Sequence, residues 1–366
     1  MVEIVDRLEG LHALADSWNR LAEGFGSPLL RHEWFVSCAE AFCPPHRLFV
    51  AIVRSKGEVT AVAPLVSVRR TGTERLELLG CSPLFEPSGF LYAGAGPLEE
   101  LVDGLLDLKM PLLLRRVPSE SREALLLQSP DHARGYLMIK ETEGTLWLSC
   151  AEGWADFEAG LSSSRRAGFR RAKKRAEGAG KVRFEVVSPG GENLDDYFQE
   201  LVAVETAGWK GKDGTAIARD ESLMRFFHLY SHRAAALGML RLSFLRVDGK
   251  AIAVLLAVEY AGRLWVLKVG YDEAWAACSP GTLLMHETIR YAFEQRLDGF
   301  EFLGTDEPWI RVWTDRTHRY VSARTYPFSP QGLVGLGLDL STQAAGRAAQ
   351  FLKQYADVSA LKALRR

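Results

Sequence analysis

The amino-acid sequence predicts an α/β (α+β) protein of two related halves, each a mixed, mostly antiparallel central sheet flanked by helices. Apolar, β-rich runs are joined by short glycine turns, as hairpins require. Segments of helical periodicity bracket those runs. The same order of elements occurs twice, at an offset of about 192 residues.

In the first half, Leu11, Leu14, Trp18 and Leu21 have helical spacing, which predicts a helix over 9–24, and a second is expected over 32–42. Strands are expected at 48–54, 59–68 and 75–80, then GFLYAG, a helix near 98–108 and a strand at 111–117. The second half repeats this, with helices at 193–208 and 220–237 and strands at 240–247, 251–260 and 263–271. A helix over 281–296 and the buried strand GFEFLG at 299–304 complete it. At the repeat offset Arg54 falls on Arg246, Gly57 on Gly249, Ala61 on Ala253, Val62 on Val254 and Val66 on Val258. The expected organisation is an N-terminal domain over 1–150, a C-terminal domain over 151–330 and a helical tail over 331–366. Leu333–Leu340, short and rich in glycine, reads as a turn or strand.

The 366 residues carry 45 basic and 46 acidic side chains, so no net field draws the chain to nucleic acid or membrane. Cys38, Cys43, Cys81, Cys150 and Cys278 are scattered and contain no CxxC pair, which suits reduced thiols in a cytoplasmic protein. No apolar run is long enough to span a bilayer, and the opening stretch does not read as a signal peptide.

The chemistry concentrates in Leu264–Trp313. A strand ends at Tyr271, a polar loop follows, and Ser279-Pro280-Gly281-Thr282 opens an apolar helix that leads to another strand. Helix N-termini present unpaired N–H groups and the positive end of the dipole. Proline fits the first turn, and glycine admits a ligand close to the backbone. The same pattern also describes an ordinary capped helix.

These residues resemble the GNAT-type acetyltransferases associated with exopolysaccharide and cellulose biosynthesis loci, bacterial relatives of the Fem-type peptidoglycan aminoacyl transferases. The resemblance rests on Gly208-Trp209-Lys210-Gly211, Val247-Asp248-Gly249-Lys250 followed by Ala251-Ile252-Ala253, Tyr271-Asp272, Ser279 to Leu284 and Phe302-Leu303-Gly304. The basic helix before Val182, Trp18 and Ala63-Pro64-Leu65 also belong to it.

The N-terminal half reads as non-catalytic, because its equivalent of the donor loop, Cys81-Ser82-Pro83-Leu84-Phe85, has no glycine after the proline. The resemblance implies tandem GNAT-like domains with a cleft between them. It implies an acyl-CoA, such as acetyl-CoA, held by Lys268, Val269, Gly270, Ser279, Pro280, Gly281, Thr282 and Leu283, with no metal. The acyl group would pass directly to an amine: an amino sugar, an amino acid or a small amine. Catalytic candidates are Asp306, Glu307 and Tyr271. Acceptor-side candidates are Trp209, Lys210, Asp272, Trp309, Arg311 and Trp313. The chain departs from its relatives where a Tyr-Lys pair is replaced by Trp309-Ile310, with Arg311 as a displaced cation.

Two other readings stand beside this one. The basic run holding Arg165, Arg166, Arg170, Arg171, Lys173, Lys174 and Arg175 suits the phosphates of a charged tRNA or an anionic lipid-linked substrate, as in a Fem-like aminoacyl-tRNA-dependent transferase. Loss of the Tyr-Lys pair suits a non-catalytic scaffold or ligand sensor. His228 and His232 have a metal-compatible spacing, but the sequence shows no acidic third ligand beside them.

Overall fold

A computed structural model describes residues 2–44, 46–70, 72–208 and 217–342. The strands are β1 (Glu3–Val5), β2 (Leu48–Ser55), β3 (Glu58–Arg70), β4 (Thr73–Leu78), β5 (Leu91–Tyr92), β6 (Leu112–Pro118), β7 (Gly135–Ser149), β8 (Val182–Val187), β9 (Leu240–Val247), β10 (Lys250–Tyr260), β11 (Arg263–Tyr271), β12 (Gly299–Leu303) and β13 (Thr317–Pro327). They form one continuous sheet in the order β1-β2-β3-β4-β6-β13-β7-β12-β11-β10-β9-β8, with β5 beside β3. Only β4/β6 and β11/β12 pair in parallel.

The order is that of two similar halves joined tail to tail. The last strand of each half crosses to the other: β7 pairs with β12, and β13 pairs with β6. β7 and β13 then pair with each other from Gly135↔Pro327 to Leu146↔Thr317. Neither long strand was among the expected elements.

The predicted duplication is visible in side-chain detail. Arg54 Nε donates to Glu3 at 2.9 Å and Arg246 Nε to Glu185 at 2.6 Å. In each half the same arginine also donates to the turn glycine carbonyl, Gly57 or Gly249, at 3.3 Å. Both hairpins carry a bulge, at Thr60 and at Ile252, again 192 residues apart. The turns Lys56-Gly57, Asp248-Gly249 and Ala261-Gly262 all have positive φ, the geometry of tight two-residue hairpins.

One face of the sheet has a core shared by both halves. The helices Ala15–Glu23 and His32–Phe42 meet Leu194–Thr206 and Glu221–Ala236 there. The Trp34 ring lies 4.9 Å from those of Phe226 and Tyr230, and Arg233 is bonded to Ser37 and Glu40. On the other face the helices Ala95–Asp107 and Pro280–Glu294 each cover a separate core. Among the described residues, no helix is long and apolar enough to cross a membrane. The five cysteines are free.

Two local expectations are corrected. The 9–24 segment is two helices, Leu8–His12 and Ala15–Glu23, and the break at 13–14 lets both Leu11 and Leu14 reach the core. Leu333–Leu340 lies within a helical stretch that begins at 330 and is described to 342. Asp339 anchors it, accepting from Arg75 at 2.9 Å and Tyr326 at 2.6 Å.

The halves are joined at the end of β12 by the buried Arg116. Its guanidinium donates to the carbonyls of Gly304 (2.6 Å), Glu143 (3.3 Å) and Phe85, and lies over the Phe85 ring. Glu86 completes the clamp by accepting from the Gly304 N–H at 3.2 Å. Burial pushes the Glu86 carboxyl up to about 7, against the pull of Arg116 and the Gly304 N–H.

Arg116→Ala removes a buried guanidinium that three carbonyls share, and is expected to cost about 3–5 kcal/mol, the range for breaking a buried charged contact. The measurement is denaturant unfolding, and a loss below about 1 kcal/mol contradicts the clamp. For Glu86, the folded chain retains a proton that the unfolded chain loses in the ordinary carboxylate range. Its stabilising contribution is therefore full at low pH and is lost as pH rises through about 7. Between about pH 5 and about pH 8, Glu86→Gln should gain stability relative to wild type, read as the difference in guanidinium midpoints.

Candidate functional site

The site forms where two parallel strands separate. β11 and β12 pair only over Arg263–Trp265 and Gly299–Glu301. Beyond that point β11 contains a bulge at Leu267, since Val266 pairs with Ala257 and Lys268 with Leu256. The bulge turns the following residues outward, and the described pairing with β12 does not continue along β11 beyond Trp265. In the other half, β3 and β4 pair without interruption from Leu65↔Leu78 to Arg70↔Thr73.

The opening between β11 and β12 is a cavity of about 380 Å³ lined by Glu205, Gly208, Val269, Gly270, Tyr271, Gly281, Thr282, Glu307 and Trp309. Glycines let its walls approach. A Cβ on Gly270 would stand 2.8 Å from Glu205, and one on Gly281 would stand 3.1 Å from the Tyr271 ring. The helix Pro280–Glu294 starts here with proline in its first turn, after Ser279 in the left-handed region. The Thr282 and Leu283 N–H groups share the Ser279 carbonyl, each at 3.1 Å. The proline has no N–H, so Gly281 supplies the first-turn donor that this carbonyl does not take.

A second groove, about 270 Å³, adjoins the first through Thr282. It is lined by Arg165, Arg171 and Arg175 with Gly168, Phe169, Ala172 and Ser279. These arginines belong to the helix Ser163–Ala179, which is capped by the Ser162 hydroxyl on the Arg165 N–H and buries Phe169, Ala172 and Ala176. The two cavities differ in charge. The first has two carboxylates in its lining, and the second has three guanidinium groups.

The predicted site residues separate into groups. Val269, Gly270, Tyr271, Gly281, Thr282, Glu307 and Trp309 line the first cavity. Ser279 lines the basic groove, while Pro280 and Leu283 are buried behind the helix start. Lys268 is not in the cavity's described lining; its ammonium lies 5.0 Å from the Phe227 ring. Burial lowers its pKa, against the charges of Glu205 and Glu86.

Asp272 accepts from the Ala274 N–H and from Lys250, each at 3.0 Å, and so closes the turn after β11. Burial favours its proton, but Lys250 outweighs that and holds the carboxyl below its usual range. Asp306 is paired with Arg311, which also reaches Asp315. Glu307 accepts from the Trp309 indole N–H at 2.5 Å, which holds that half-exposed ring at the rim. Ile310 is buried in the core, and Trp313 is stacked on Phe169 at 5.1 Å. Trp209 and Lys210 lie outside the described residues.

Several features in and around the cavity were not foreseen. Glu205 sits on the buried stripe Leu194, Phe198, Leu201, Glu205. A lone acid on an apolar helical face was the signal that could have found it. Glu86 and Arg116 come from the other half, in segments whose sequence carries no such sign. The acidic partner thought missing beside His228 and His232 is present: Asp195, on the neighbouring helix, lies 2.9 and 2.8 Å from them on the surface.

Comparison with known proteins agrees with this geometry. Residues 163–311 match the family model described as an acetyltransferase (GNAT) domain. No curated protein matches the sequence. Among solved structures, FemX aligns at 14% identity over 92% of this chain and 99% of its own, with a TM-score of 0.55. The C-terminal domain of a putative lysylphosphatidylglycerol synthetase from Agrobacterium fabrum aligns at 11% identity over 89% of this chain and 95% of its own, with a TM-score of 0.53. A conserved protein of unknown function from Bacteroides thetaiotaomicron aligns at 12% identity over 89% and 100%, with a TM-score of 0.54. At such identities the likeness is one of fold. The chain thus shares its fold with these proteins along most of its length, and residues 163–311 are similar to the acetyltransferase (GNAT) domain model.

Proposed function

We propose that the protein is an N-acyltransferase that moves an acyl group from acyl-CoA to an amine by direct transfer in a ternary complex. The observation that carries this is the meeting of two unlike cavities at Thr282, beside the start of the helix Pro280–Glu294. Acyl-CoA has the same division: a neutral acyl-pantetheine arm and a polyanionic nucleotide end. The basic groove suits the phosphates, with Arg171 and Arg175 as guanidinium donors. The open cavity suits the arm. There the thioester carbonyl would lie against the β12-facing side of β11, where fixed main-chain dipoles stabilise a developing oxyanion.

The chain's own residues would hold both reactants at reacting distance and exclude water from one side. The Tyr271 ring and Gly281 shape the passage for the arm, while Glu307 and Trp309 stand at the mouth where an acceptor enters. A cytoplasmic bacterial enzyme of the exopolysaccharide-associated type, with acetyl-CoA as donor, is the finer form of the same proposal. The exposed cations on Ser163–Ala179 favour a second reading, in which the donor is a charged tRNA.

Calorimetry of the full chain with acetyl-CoA, longer acyl-CoAs and free CoA separates these readings. Binding of the thioesters and of free CoA is expected. The joint Arg171→Ala and Arg175→Ala substitution should weaken it about tenfold or more, since each charge-assisted contact contributes about 1.5–3 kcal/mol. Gly281→Trp should abolish it, because any side chain there meets the Tyr271 ring. A Gly281→Trp protein that binds and transfers like wild type removes the assignment, and binding of charged tRNA alone moves it to the second reading.

A further inference from the structure

We propose that the acceptor is a cationic primary amine without a neighbouring carboxylate, and that Glu205 both binds its nitrogen and takes its proton. The inference rests on the acyl-donor reading of the same cavity. Its starting point is an unsatisfied atom. Glu205 is 1% exposed. One carboxylate oxygen accepts from the Ile217 N–H at 3.0 Å, and the other is buried with no hydrogen-bond partner among the described residues. A buried acceptor left unpaired costs free energy that a ligand donor recovers. The residue lines the cavity, so the missing donor can come from its contents. An ammonium group supplies both the hydrogen bonds and the opposite charge.

The surroundings select the same class. The charged side chains in the cavity's described lining are Glu205 and Glu307, both acidic. Lys268, on β11, acts on Glu205 from outside the lining, and the Glu86 carboxyl acts on that lysine from the N-terminal half. Tyr271 forms the opposite wall. A carboxylate on the acceptor would face both acids, which disfavours zwitterionic α-amino acids relative to amino sugars and polyamines.

Position serves the chemistry as well. Gly270 has no side chain, so the helix Leu194–Thr206 presses onto β11 and brings Glu205 to the strand that would polarise the thioester. In the reaction the ammonium gives one proton to Glu205, which passes it to solvent. The free amine attacks the thioester carbon, forming the C–N bond. Collapse breaks the C–S bond, the sulfur keeps the electron pair, and the second proton lost by nitrogen ends on sulfur. The products are an amide, free CoA thiol and one released proton.

Glu205→Gln keeps an oxygen for the Ile217 N–H, so the fold and the donor site should survive. Acetyl-CoA affinity, read by calorimetry, is expected within about twofold of wild type. Thiol release with glucosamine or spermidine as acceptor should fall by about 10²–10⁴, the range for losing a general base. The acidic limb of the pH–rate profile should disappear, and Glu205→Asp should restore part of the rate. Wild type should prefer glucosamine and spermidine to glycine and L-alanine. Intact donor binding with unchanged kcat/KM and pH profile in Glu205→Gln overturns this proposal alone, as does wild-type transfer to the zwitterions only or to none of the four. Failure of wild type to bind any acyl-CoA overturns the donor reading and this proposal with it.

Discussion

The cleft depends on a single buried guanidinium. β12 is short, and it pairs with β11 over only three residues. Nothing in that pairing prevents its far end from collapsing onto the bulged strand. Arg116 prevents it from outside, by holding the Gly304 carbonyl together with Glu143 and Phe85, while Glu86 holds the Gly304 N–H. Both groups at Gly304 are thus satisfied by the other half of the molecule. The exchanged strands supply the frame for this, because β7 lies directly against β12 and brings Glu143 within reach. The cavity's described lining comes from the C-terminal half alone, not from between the halves as expected, and the N-terminal half contributes by fixing the position of the β12 end.

Duplication explains why the two halves look alike, and local deviations explain why one cleft is open and the other filled. Both contain a parallel pair that separates, and both have a residue in the left-handed region at corresponding places, Arg116 and Leu303. In the N-terminal half the gap is closed by the turn Cys81–Leu84, the Phe85 ring and the Arg116 side chain. The Cys81 thiol lies against the Arg115 carbonyl. No bulge turns β4 outward. In the C-terminal half, position 303 carries leucine and the loop before the helix carries Pro280-Gly281, so the gap stays vacant and β11 bends away from it. The same strand geometry thus holds a plug in one half and a cavity in the other, the difference lying in a few side chains and one register shift.

Much of this was legible locally and little of it at long range. The hairpins and the helices after them were readable because their signals lie within a few residues: positive-φ glycine turns, alternating or helical apolar spacing, a serine cap. The exchange of β7 and β13 was not, because the partner of a strand is chosen by tertiary pairing and their mixed polar composition suits a position in mid-sheet only after that pairing is known. The helix start at Pro280-Gly281 was legible as a feature, and the groove of arginines facing it only as a charged helix. Asp306 and Arg311, separate candidates in sequence, neutralise one another. Trp313 belongs to the core because Phe169, far away in sequence, stacks on it. Glu205 could have been found, since an acid on an apolar stripe breaks the local rule, and such breaks concentrate at functional or strained sites.

The distribution of charge along the cleft follows from which element supplies each wall. The arginines can crowd along one side of the groove because Ser163–Ala179 buries only Phe169, Ala172 and Ala176 and leaves its cations toward water. Glu205, by contrast, is held by a helix whose neighbouring residues are core, so its carboxylate is kept out of water and cannot be screened as a surface acid is. Between them stands Thr282, touching both spaces. A ligand anionic at one end and reactive at the other can lie in this cleft in one direction only, since reversal would place phosphates against Glu205 and Glu307. Orientation is therefore set by the two helices that flank the start of Pro280–Glu294. The β-strand residues in the cavity's described lining, Val269, Gly270 and Tyr271, carry none of that directional charge.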